Sequence, residues 1–241
     1  MSMYPDNQAG NRPIGLEYES SVESQVIARF FNAVYAWMAA GLALTAVVAW
    51  YVSTQPQLLK TVLGPMIWLF IIAEFVLVIA ISAAVKKINA TVATVLFLLY
   101  AGLNGLTLSV IFLVYAKATL ASAFFVTAGT FGATSVYGMV TKRDLSRLGS
   151  ILFMALIGLV LASLVNIFLK SPAMQWIITY AGVLIFVGLT AWDTQKLKII
   201  AVQTQTDAAM AARMSISGAL MLYLDFINLF LFILRIMGNR K

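Results

Sequence analysis

The chain has 241 residues, of which 62% are hydrophobic and only 10% charged, and its mean hydropathy is +0.94. A soluble domain carries about 25% charged residues, so this composition excludes an ordinary water-soluble fold and marks an integral membrane protein. Cysteine and histidine are both absent, which removes disulfides, thiolate metal sites, the commonest general base and the commonest metal ligand.

In chain order, residues 1–29 read as a polar tail containing Glu17, Glu19 and Glu23. They lack the basic region and short apolar core of a cleaved signal peptide, and a short amphipathic helix is expected from about Ser20. Residues 30–237 then form one membrane domain with seven spans, near 30–53, 62–85, 91–114, 119–140, 150–169, 175–197 and 216–236. Each reaches or approaches the ~20 residues that cross ~30 Å of hydrocarbon. The short alternating segments of a β-barrel are not seen, and helices satisfy every backbone polar group internally. The expectation is an all-α bundle of seven transmembrane helices.

The connections are short and leave no room for an extramembrane domain; the longest, residues 201–215, is expected to be partly helical on the surface. The net charge of +7 does not point to nucleic acid, because the basic residues punctuate the ends of the apolar spans. Alternating the spans places ten Lys and Arg on one face (Arg12, Arg29, Lys86, Lys87, Lys142, Arg143, Arg147, Lys196, Lys198, Arg213) and six on the other. The richer face belongs inside, so the N-terminus is expected inside and the C-terminus outside. Trp50, Tyr51, Tyr115 and Trp176 fall near span ends, where interfacial aromatics belong. The third and fourth spans are rich in small and weakly polar residues, with Ala128 and Gly132 on one face; plain close packing and a substrate path both fit that pattern.

Few charges fall within the spans: Glu74 in the second, Asp193 in the sixth, Asp225 and Arg235 in the seventh. A carboxylate near the bilayer centre costs at least ~2.5–3.5 kcal/mol, and such residues usually face a partner or a wet cavity. Asp193 precedes Lys196 by three residues, so an ion pair at the interface accounts for it as well as a buried site does. Asp225 has a single polar neighbour on its own face, Asn228, and must find its partner on another helix or in water. Glu74 has no basic neighbour on its helix; Arg235 can snorkel to the lipid boundary or pair within the bundle. The sixth span runs inward and the seventh back outward, so Asp193 and Asp225 can share a level in the bundle if their faces meet. Two carboxyls close together in a low dielectric share a proton, and ionised they offer hard oxygen ligands to Ca²⁺.

The stretches "AWDTQKLK" and "LYLDFINLFLFILR", with "NGLTLSVIF" at 104–112, resemble the signatures of the transmembrane Bax-inhibitor-motif family, over about residues 25–238. The resemblance implies a seven-helix bundle with the seventh helix central, and a pH-sensitive Ca²⁺ leak gated by an aspartate dyad that maps onto Asp193 and Asp225. It implies polar support from Glu74 and Arg235 and a basic latch from the second helix, for which Lys86 and Lys87 are the candidates. It further implies a multi-pass protein of the bacterial inner membrane, no resident cofactor, and a membrane-bound AAA protease as a protein partner. Two other classes remain open beside the leak: a non-conducting regulator of such a protease, and a proton-coupled transporter. Intramembrane aspartyl proteases also carry an aspartate on each of two helices, but their Gly-x-Gly-Asp motif reads Leu222-Tyr223-Leu224-Asp225 here and no Pro-Ala-Leu follows. An enzyme is therefore not expected.

Overall fold

A computed structural model describes residues 14–64, 66–85 and 87–238. Among them there is no strand, and nine helices account for most of these residues: α1 (Ile14–Ser53), α2 (Pro56–Leu63), α3 (Ile67–Ala84), α4 (Ala90–Leu108), α5 (Ile111–Val114), α6 (Lys117–Val140), α7 (Ser146–Leu169), α8 (Pro172–Gln203) and α9 (Ala208–Met237). Seven helical stretches are long and apolar enough to cross a membrane, with α4 and α5 forming one of them. The all-α bundle expected from composition is what the chain forms.

The ends of these helices follow local chemistry. Asn89 caps α4 by accepting a hydrogen bond from the Val92 amide at 2.8 Å, and Asp207 caps α9 through Met210 at 2.8 Å, each satisfying an amide that the helix leaves unpaired. Pro172 opens α8 behind Ser171, whose Oγ accepts from the Met174 amide at 3.3 Å. Lys170 closes α7 in the left-handed region at φ 51°. Asp144 accepts from the Ser146 amide at 2.9 Å, and hydrogen bonding from Ser146 holds its carboxyl below the ordinary aspartate range.

Several bounds differ from the sequence expectation. α1 starts at Ile14 rather than near Ser20 and continues unbroken to Ser53, so much of the polar tail is helical. The third span breaks between Leu108 and Ile111, where the Ser109 hydroxyl turns back to the Leu106 carbonyl at 2.7 Å and competes with the helical ladder. In the connection after α8, only residues 204–207 are non-helical; α9 begins eight residues before the expected 216.

The seventh span is central, as the family resemblance implies. α9 packs against α8, α1, α6 and α4, and it buries Leu220, Leu222, Tyr223, Leu229 and Leu234 almost completely. α3 and α7 are peripheral: α3 packs on α4, and α7 packs on α8. Close approach to α8 depends on two glycines, because a Cβ at Gly138 would strike the Ala191 backbone and one at Gly149 would strike the Trp192 ring. The Ala128–Gly132 face does not have this role. Gly132 is exposed, and a Cβ there would meet nothing within 4 Å.

Candidate functional site

α8 and α9 form the most extensive helix pair, and their packing brings Asp193 and Asp225 together. The two side chains are 8% and 5% exposed and lie next to one another at the α8–α9 seam. Two neighbouring carboxyls can hydrogen-bond to one another only when one carries a proton, since an ionised carboxylate only accepts. The Oδ2 atom of Asp225 is buried and has no hydrogen-bond partner, an arrangement that costs free energy unless a donor reaches it.

Both aspartates line a cavity of about 580 Å³ bounded by α3, α4, α7, α8 and α9. Asn228, one turn beyond Asp225, also lines it, with its amide donating to the Leu224 carbonyl at 2.8 Å. Lys196 lines it one turn from Asp193, its ammonium 5.2 Å from the centre of the Trp192 ring. Among the described residues no ion pair joins Asp193 to Lys196, so the interfacial pair expected as one account of Asp193 is not formed, and the carboxyl is buried beside Asp225.

Glu74 reaches this cavity from α3. Its Oε1 accepts from the Thr107 hydroxyl at 2.8 Å and its Oε2 from the Asn104 amide at 3.3 Å. Asn104 Oδ1 in turn lies 3.1 Å from the Tyr223 hydroxyl, which is 2.6 Å from Thr45 Oγ1; Thr45 Oγ1 is 2.8 Å from the Ala101 carbonyl. Three contacts here share two hydroxyl protons. Either Tyr223 donates to Thr45 and Thr45 to Ala101, or Thr45 donates to Tyr223 and Tyr223 to Asn104. The cluster ties α3, α4, α9 and α1 together across the middle of the bundle.

On the other side of this cluster lies an apolar groove of about 360 Å³, walled by Thr45, Trp50, Phe112, Lys117, Phe124 and Phe230 among others. Ile227 lines both the groove and the carboxyl-lined cavity. Ile227 and the Tyr223 cluster therefore separate the two spaces.

The remaining sequence candidates fall elsewhere. Arg235 is exposed near the far end of α9, its guanidinium carbon 5.7 Å from the Phe232 ring centre, in clefts with Gln175, Thr179 and Lys170; it does not line the dyad cavity. Lys87 is exposed beyond the end of α3 and is not part of that cavity's lining. Lys86 lies outside the described residues. Thr45, Tyr223 and Trp192 were not singled out by sequence. Their only signal was a polar atom inside an apolar run, which most membrane threonines satisfy on their own helix, as Thr127 and Thr190 do through the carbonyls four residues back.

Gln195, two residues past Asp193, fixes the connection between α6 and α7: its Oε1 accepts from the Leu145 amide and its Nε2 donates to the Arg143 carbonyl, both at 2.8 Å. Lys198 donates to the Met139 carbonyl at 3.1 Å. The basic end of the bundle is thus pinned beside the dyad.

Fold and site together define a class: a membrane bundle of seven spans whose last two helices bury a pair of neighbouring aspartates at the wall of a carboxyl-lined cavity. A sequence profile described as "Inhibitor of apoptosis-promoting Bax1" matches residues 27–241, and the chain belongs to this Bax inhibitor family. It is 57% identical over 211 residues to a protein named inner membrane protein YbhL in Escherichia coli strain K12, covering 86% of this chain and 90% of that one. Over 212 residues it is 46% identical to an uncharacterized protein of Deinococcus radiodurans, covering 88% and 90%. Over 216 residues it is 43% identical to one of Borreliella burgdorferi, covering 88% and 93%.

Proposed function

We propose that this protein is a pH-sensitive cation leak of a bacterial inner membrane, with Ca²⁺ as its cargo and the Asp193–Asp225 pair as its gate. The observation that carries this reading is the juxtaposition of two buried carboxyls on the helix pair with the most extensive packing, at the wall of one cavity. A shared proton joins α8 to α9. Its loss leaves two negative charges facing one another in low dielectric, which favours their separation or the arrival of a cation. Ca²⁺ takes six to eight oxygen ligands when held as a resident ion. Among the described residues no three potential ligands converge on one point, and two carboxylates suit an ion in passage that keeps part of its water.

In this proposal the closed barrier is Ile227 with the Tyr223–Thr45–Asn104 cluster, because it divides the dyad cavity from the apolar groove. The chain acts as a conduit rather than an enzyme, with its Lys- and Arg-rich face and N-terminus inside and its C-terminus outside. Arg235 belongs to the outer mouth rather than to the gate. An interaction with a membrane-bound AAA protease is compatible with this arrangement.

The test is Ca²⁺ influx into liposomes holding the purified protein, across pH 6 to 8, beside Asp225→Asn. Protons and Ca²⁺ compete for the same oxygens, so the half-saturating Ca²⁺ concentration rises as pH falls, and Asp225→Asn removes that dependence. Equal flux at every pH in the unsubstituted protein would sink the proposal. No flux at all, with insertion confirmed, would favour the non-conducting protease regulator.

A further inference from the structure

The dyad cavity joins an acidic end to a long apolar wall. Most of its wall is hydrocarbon, contributed by Phe75 and Val78 from α3, Phe153 and Val160 from α7, and Leu189 from α8. Phe75, Phe153 and Val160 are 68%, 54% and 51% exposed while also lining the cavity. In a bundle surrounded by lipid, these side chains face the bilayer and the cavity at once. α3 is held by α4 and α7 by α8, and the two peripheral helices make no extended contact with each other. The cavity therefore opens sideways toward the acyl chains between α3 and α7.

Its polar end is acidic. Asp193, Asp225 and Glu74 line it against one cation among the described residues, Lys196, which lies over the Trp192 ring. Glu74 already accepts hydrogen bonds at both oxygens, whereas Asp225 Oδ2 is buried with no donor. Its amide donors are already engaged, Asn104 with Glu74 and Asn228 with the Leu224 carbonyl, and the site is reached through hydrocarbon.

We propose that this cavity binds a lipophilic amine, a single-chain amphiphile whose primary ammonium seats at the Asp193–Asp225 pair and whose tail lies between α3 and α7. A primary ammonium brings three donors and no acceptor, and its hydrogen bonds to carboxylates are charge-assisted. The tail passes from lipid to an equally apolar wall, so it contributes little selectivity; the bilayer concentrates the ligand and the head selects the site. A volume of about 580 Å³ lies within the range of small-molecule sites. A phospholipid with an amine head is a poor fit, because its phosphate would be placed among carboxyls. This inference goes beyond the leak, since it requires no ion to cross.

The test is equilibrium binding of radiolabelled dodecylamine to the full chain in phosphatidylcholine nanodiscs, with empty nanodiscs subtracted and no ion gradient present. Saturable binding of one amine per chain is expected. Dodecyltrimethylammonium, which has no N–H donor, should compete at least about tenfold less well, and dodecanoate should not compete. Asp225→Asn should weaken binding about tenfold. Val160→Trp, which leaves every carboxyl in place but fills the side opening, should do the same. Uptake that is linear and unsaturable, or binding unchanged in both variants, would overturn the inference. Because binding is read without flux, a protein that conducts no Ca²⁺ yet binds dodecylamine defeats only the leak. One that conducts with pH dependence yet shows no saturable binding defeats only the amine site.

Discussion

α7 and α9 are both long apolar helices, and the more uniformly apolar of the two is the one outside. In its most apolar stretch α7 is 6% buried, whereas α9 is 56% buried. α7 turns Phe168, Ile167 and Met154 outward at 85%, 62% and 63% exposure. α9 carries Tyr223, Asp225, Asn228 and Gly218 and sits at the centre of the bundle. Lipid tails are as apolar as leucine, so burial inside the protein offers a hydrocarbon side chain little that the bilayer does not. Polar atoms and close backbone approach cannot be satisfied by lipid. In this chain, therefore, the less oily helix is the core.

Substitutions on the two helices can break or sharpen that contrast. Tyr223→Ala should be the most damaging, because the side chain is fully buried, meets Phe97 and Tyr100 edge-on, and bonds to Thr45 and Asn104. A loss of about 3–5 kcal/mol is expected, read as a lowered thermal midpoint in detergent, whereas Phe168→Ala on α7 should shift it by less than about 0.5 kcal/mol. Equal shifts would refute the contrast. Within α7 itself, Gly149→Val should cost about 1–3 kcal/mol because its Cβ meets Trp192, and Gly158→Val should be silent because nothing lies within 4 Å of it. Tyr223→Phe keeps the ring and removes only the hydroxyl, so about 1 kcal/mol should be lost; a double substitution with Thr45→Val should then cost less than the sum.

The smallest effect belongs outside the bundle. Asp144→Ala removes the acceptor for the Ser146 amide at the start of α7. Because the folded carboxyl titrates below its unfolded value, its contribution is present above the unfolded value and disappears as pH falls through the folded one. The variant and the parent should therefore melt alike at strongly acidic pH and differ slightly at neutral pH, and a difference that grew on acidification would contradict this sign.

Composition and span length made the seven spans legible, because crossing hydrocarbon constrains every residue in a window. The depth of Asp193 and Asp225 was legible too, since the direction of each span sets the level of its charges. Whether their faces met was not, because an all-round apolar helix has no periodic stripe to orient it. For the same reason the Thr45–Tyr223–Asn104 cluster stayed hidden: its members come from three helices, and each is an ordinary residue alone. Glu74 and Arg235 both read as charges within spans, the second open to snorkelling as well as to pairing; packing put the first on the cavity and left the second in a separate cleft. The break at Ser109–Val110 escaped notice because no proline or glycine marks it.

The hydroxyl pair at the centre of the bundle has one proton fewer than its contacts ask for. Its two satisfied arrangements point in opposite directions within one set of heavy-atom positions, like the hydrogen disorder of ice. Reversing them is a rotation of two O–H bonds, and such side-chain rotations are far faster than the displacement of a helix. The middle of this bundle can thus change its dipole without changing its shape, so the Asn104 end and the Ala101 end of the cluster are joined by an electrical hinge.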